Sequence, residues 1–252
     1  CISPSKTKLC ITTNTILYNR IETGFREGCS SSNPTITITP NPITPTEQPS
    51  DETCPEKEEG FIDLKDKPKD PSNEVLYGCK LENPERIKGA NCRLLVYFTT
   101  FKDLKTLNDD DGGGAIYVKK SGTLKKEGNT TIDHCTFENC ESTKGGAISL
   151  YSRQVKITRA FNIINCKFTG NIATNKGGSI CLQGGLCTIS KCEFLNNKCS
   201  EPNGNDIYYE NIEQPNTQED AENPFLIETC QFELNDNSIT GSLIYLNWNK
   251  HS

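Results

Sequence analysis

The sequence predicts an all-β solenoid, a parallel β-helix, and three observations carry that prediction. Four phenylalanines, Phe137, Phe168, Phe194 and Phe232, head segments whose residues recur in aligned columns. The segments are short, β-branched and bounded by Gly and Asn, with no run of apolar residues at helical spacing. The chain is also poor in apolar residues, 33% with a mean hydropathy of −0.59, which suits a narrow interior filled by a few side chains per turn.

The columns fix the elements in order. Five residues before each Phe stands Ile132, Ile163, Ile189 or Ile227, and two before stands Cys135, Cys166, Cys192 or Cys230. Three residues after come Cys140, Asn171, Asn197 and Asn235. A second block follows a turn later as Gly145-Gly146-Ala147-Ile148 and Gly177-Gly178-Ser179-Ile180, and decays to Asn205-Asp206-Ile207-Tyr208 and Ser242-Leu243-Ile244-Tyr245. Spacing between the Phe residues varies while the columns hold, so insertions sit in loops. Val96, Thr99, Phe101 and Leu104 read as a degenerate first copy, of the kind that caps a repeat array.

In a parallel coil, equivalent residues of adjacent turns stack at roughly 4.8 Å, with about three strands expected per turn. Cys and Phe, two apart, share the inward face, whereas Ile has the opposite parity and requires a corner between. The Asn column suits a turn, because Asn tolerates left-handed backbone and its amide can bond the Asn of the next turn. The paired glycines allow positive φ and close backbone approach.

Three regions are expected: a cysteine-bearing segment (1–29), a Thr/Pro-rich and charged linker (30–74), and a β-helix of about five turns over 75–252. The tract Pro34 to Thr46 reads as an extended, O-glycosylated stalk rather than core. A net charge of −6 and a pI near 5.2 without a basic block exclude a nucleic-acid binder. No stretch is long and apolar enough for a transmembrane helix. Fourteen cysteines without a CxxC pair, and two distant histidines, favour disulfides and an extracellular setting over zinc. Most column cysteines are expected as buried thiols, leaving Cys187 and Cys199 as loop positions better suited to crosslinks.

Gly113 to Ile116, Gly145 to Ile148, Phe168 to Asn171, Phe194 to Asn197 and Phe232 to Asn235 resemble the paired GGAI and FxxN tetrapeptides of polymorphic outer membrane protein repeats. Those occur in chlamydial surface autotransporters and related surface proteins of some protists. The resemblance covers residues 96–246 at best. It implies a right-handed parallel β-helix on the cell surface, acting in adhesion. The cysteine column and the Thr/Pro tract look more like a protist version than the bacterial type.

Parallel β-helices also carry polysaccharide lyases and glycoside hydrolases, so a carbohydrate-active enzyme is the alternative. Its candidates are Asp109, Asp110, Asp111, Asp133, Glu138 and Glu141 with Arg153 and Arg159. Asp109 to Asp111 before Gly112 read as a solvated turn, with a weak calcium site as the other reading. Asp133 and Glu228 share a column three turns apart, roughly 14 Å, too far for a glycosidase pair. His134 and His251 read as surface residues, and Trp248 with Tyr245 as a cap for the last turn or a platform for a sugar ring. Asn129-Thr130-Thr131 is an N-glycosylation sequon. The expectation is thus a non-catalytic adhesin or structural surface component without a cofactor. Its partners would be cell-surface glycans or proteins, with assembly alongside other surface proteins.

Overall fold

The computed structural model describes residues 8–10, 53–66, 74–108, 110–120, 129–152, 161–212, 225–233 and 242–248. They form a parallel β-helix. A central turn reads Phe161–Ile164, Lys167–Thr169, Ile172–Lys176 and Ile180–Gln183. Each of these strands pairs in parallel with its counterpart in the turns before and after, giving four sheets of seven, six, four and six strands. We call them by their inward residues or place: the Ile sheet, the Phe sheet, the third sheet and the Gly-Ile sheet.

A turn thus has four strands where three were expected. The additional one, Glu141–Lys144 and its equivalents, is mostly polar and alternates weakly, so its sequence carries no strand signal. The Ile sheet runs through six turns, Val75–Cys79, Arg93–Tyr97, Thr130–Asp133, Phe161–Ile164, Cys187–Ser190 and Phe225–Glu228. Ile62–Asp63 adds a seventh strand at its start, so parallel stacking begins inside the segment expected to be linker.

Phe101 and Val96 stand in register with Phe137 and Ile132, but their turn is not the cap. Another turn precedes it, in which Gly78 pairs with Val96 and Ile87 with Ile116. Gly78 has no side chain because the interior there is already filled. A Cβ on it would lie 2.4 Å from Leu64 Cδ1 and 2.9 Å from Leu81 Cδ1. Leu64 opens a single 3-10 turn, Leu64–Asp66, and plugs that end of the core.

Two corner columns bend each turn. Phe98, His134, Asn165, Lys191 and Thr229 all adopt positive φ between the Ile and Phe sheets. Asp103, Asn139, Gly170 and Asn196 do the same between the Phe and third sheets. Such a backbone costs L-residues energy and persists where neighbouring turns fix it from both sides. Among the described residues no helix is long and apolar enough to cross a membrane.

Candidate functional site

The interior is a set of stacked columns, and the chemistry-bearing side chains are best placed by column. Phe101, Phe137, Phe168, Phe194 and Phe232 are buried with successive ring centroids 5.0, 4.9, 4.8 and 4.7 Å apart and planes within 6°. Nearly parallel rings at strand spacing fit offset stacking. Ile132, Ile163, Ile189 and Ile227 align in the Ile sheet, all buried.

Cys135, Cys166, Cys192 and Cys230 are buried free thiols at the start of the Phe sheet. Each does a specific job. Cys166 Sγ lies 3.1 Å from Ile164 O in its own turn and 3.5 Å from Ile132 O in the preceding one. Cys135, Cys192 and Cys230 repeat the geometry at 3.2–3.3 Å and 3.6 Å. Thr99, the residue of this column in the earlier turn, donates its hydroxyl to Tyr97 O at 2.9 Å. The column therefore requires a small side chain that can donate to a buried corner carbonyl. Burial raises the Cys135, Cys166 and Cys192 thiols well above their usual range. They stay protonated and unreactive at neutral pH. Cys230 differs, because the bond to Cys192 outweighs burial and lowers it.

The Asn column also points inward. Asn171 Nδ2 donates to Phe137 O at 3.1 Å and to Asn197 Oδ1 at 3.0 Å, while its Oδ1 accepts Cys140 N–H at 2.9 Å. Asn197 Nδ2 donates to Phe168 O and to Asp206 Oδ1. Cys140, which replaces Asn one turn earlier, directs its thiol to the equivalent carbonyl, Phe101 O, at 3.9 Å. Positive φ belongs to the residue before the Asn, Gly170 or Asn196, and not to the Asn itself as expected. The Asn is selected as a buried linker between turns. Asn235 lies outside the described residues.

The glycine pairs divide their labour. Gly145 and Gly177 have φ of 58° and 60°. Gly146 and Gly178 instead permit contact between turns, since a Cβ there would fall 2.2 Å from Gly178 O and 1.9 Å from Asn205 O. The position after them holds Ala115, Ala147, Ser179 and then Asp206, a buried carboxyl that no sequence pattern singles out. Burial raises Asp206 to about 7 against the bond from Asn197.

Asp111 is ion-paired with Lys88 at 3.0 Å, and its carbonyl accepts from Ser149. Lys144 Nζ donates to Asp110 O. Cationic groups thus crowd this turn from two strands, and no cluster of three metal-ligating side chains occurs among the described residues. Asp109, Arg153, Arg159 and His251 lie outside them. Asp133 Oδ1 accepts from Asn165 at 3.0 Å and lies 2.8 Å from His134 Nδ1, whose ring stacks on Phe98. Glu138 pairs with Lys102 and Glu141 with Lys105, each on the preceding turn. Asn129 is half-buried, and its carbonyl accepts from Arg93. Tyr245 stacks on Tyr208 at 5.4 Å in the last turn, and the Trp248 side chain lies outside the described residues.

Cys187 and Cys199 are not loop crosslinks. Both lie in strands, both are buried, and both carry free thiols. Among the described residues a disulfide joins Cys54 to Cys79, and Tyr77 Oη donates to Pro55 O beside it. That pair ties residues 53–66 to a small outer cluster of Val75, Tyr77 and Leu95.

Residues 165–183 span one turn from the Asn165 corner through Cys166, Phe168, Asn171 and the Gly177-Gly178 pair, and they match the model of the Chlamydia polymorphic membrane protein repeat. The match covers this one turn. The structure explains why that repeat is spelled as it is: Phe stacks, Asn links turns, the first Gly bends and the second admits the neighbouring backbone. A repeat of this type points to a surface or outer-membrane protein. No curated protein and no solved structure matches the chain.

Proposed function

We propose that this chain is a non-catalytic β-helix of the cell surface, serving adhesion or surface structure. Cell-surface glycans or proteins would be held on its outer faces and variable loops rather than in one pocket. The observation that supports this reading is where the reactive groups are engaged. The inward Cys and Asn side chains bond neighbouring turns, and Asp111, Asp133, Glu138 and Glu141 are each bonded to a neighbouring side chain. A carboxylate held in such pairs is a poor acid, base or calcium ligand. The repeat match supports the surface location.

The test is incubation of the folded chain with a broad glycan panel and with whole host cells, with and without calcium, reading retained and cleaved species by mass. Retention without cleavage is expected. Cleavage of any glycan would overturn the reading and direct attention to Asp109–Asp111, Arg153 and Arg159.

A further inference from the structure

The described pairings of this β-helix are parallel with one exception. Lys8–Cys10 runs antiparallel to Gln231–Glu233, with Leu9 in register with Phe232, and so continues the Phe sheet beyond its last turn. A sheet edge presents unpaired N–H and C=O groups that template another strand. Here the capping strand comes from the opposite end of the chain. Residues 53–66 are fastened to the first turn by the Cys54–Cys79 bond and the Ile62–Asp63 pairing, while residues 8–10 sit on the last.

The stretch between these attachments, residues 11–52, numbers 42. The seven-stranded Ile sheet is about 29 Å from first strand to last at 4.8 Å per step. Forty-two residues reach about 130 Å even at the polyproline rise of 3.1 Å per residue. The connector is therefore several times longer than the path it covers, and nothing in its length ties the strand to its own edge. Pairing of the edge uses main-chain bonds, which are identical in every copy.

We propose that the Gln231–Glu233 edge is a strand-acceptor site whose intermolecular occupant is the Lys8–Cys10 segment of a second copy of this chain. Within one molecule the donor competes at an effective concentration in the millimolar range. Exchange between molecules takes over at comparable local density, as in a crowded surface layer. It links copies head to tail without any new interface, because the donor leaves from near the first turn and the acceptor is on the last. This inference uses the surface location, but its test requires no host ligand, so it can fail independently of the adhesion reading.

The full chain and its Leu9→Pro variant are compared by amide hydrogen exchange at Gln231–Glu233 and by small-angle X-ray scattering from about 0.01 mM to about 10 mM, a range that brackets the effective concentration. Proline at the centre of a three-residue strand removes its N–H and the strand with it. The variant is expected to exchange at least tenfold faster at those amides, and a synthetic peptide of residues 5–13 is expected to restore protection to it. The unsubstituted chain is expected to form dimers and longer species at high concentration, and the variant is not. Unchanged exchange in the variant would show that this strand does not cover the edge. A monomer at every concentration, with exchange accelerated, would confine the strand to its own chain and overturn the intermolecular proposal.

Discussion

The central turns and the first turns of this molecule are held by different means. Between residues 129 and 212, adjacent turns repeat the same contacts: Phe on Phe, thiol to corner carbonyl, Asn to Asn, glycine against glycine backbone. At the start these repeated contacts thin out. The Asn column is absent, Gly78 stands in the Ile column, and the end is closed by Leu64, Leu81, the Cys54–Cys79 bond and the Tyr77–Pro55 hydrogen bond. A repeat can stabilise only a turn that has neighbours on both sides. An end has one neighbour, and must be finished with contacts used once.

Four experiments test this difference between the centre and the ends. Phe168→Ala removes the middle ring of five and is expected to cost about 3–5 kcal/mol in denaturant unfolding. A cost below that of an equivalent substitution at Phe101 would mean that stacking is not strongest at the centre.

Asp206 tests whether the regularity of the later turns has a weak point. Its carboxyl is raised to about 7 by burial, so the folded chain holds the proton more tightly than the unfolded chain does. That contribution is fully present below the ordinary carboxyl range near pH 4 and is lost as pH rises towards 7, to a total of up to about 4 kcal/mol. Unfolding measured from pH 4 to 8 is expected to show the decline, and Asp206→Asn to flatten it. A decline that persists in the variant would assign it to other groups.

At the first turns, Cys54→Ser opens a loop closed over a separation of 25 residues and is expected to cost about 2–4 kcal/mol. Reduction of the unsubstituted chain should reproduce the loss, while the buried thiols of the central turns show no labelling until global unfolding. The smallest effect belongs to the thiol column. Cys166→Ser keeps a donor for Ile164 O, as Thr99 does for Tyr97 O, and should cost less than Cys166→Val by about 1–3 kcal/mol. Equal costs would reduce the column to simple packing.

The sequence made the repeated side chains legible and left the supporting geometry hidden. Ile, Cys, Phe and Asn recur because each meets its own equivalent one turn away, and identical neighbours select identical residues. The corner between the Ile and Phe columns was legible from their opposite parity, but which residue turns it was not, since Phe98, His134, Asn165, Lys191 and Thr229 share a backbone conformation and no side-chain chemistry. The second corner left a faint signal, as Asp103, Asn139, Gly170 and Asn196 are all types that tolerate positive φ. The third strand was invisible because its outward polar residues alternate with small ones. Asp206 was hidden because it occupies an Ala or Ser position in a decayed copy.

By itself, then, the amino-acid order determined a parallel coil, its inward columns and the kinship of its repeat, because those depend on local patterns that recur. Long-range contacts alone set which cysteines are joined, which corner residues are left-handed, how each end is closed and that an N-terminal strand covers the last turn. Those features depend on single contacts between residues far apart in the chain, and a contact made once leaves no repeated pattern to read.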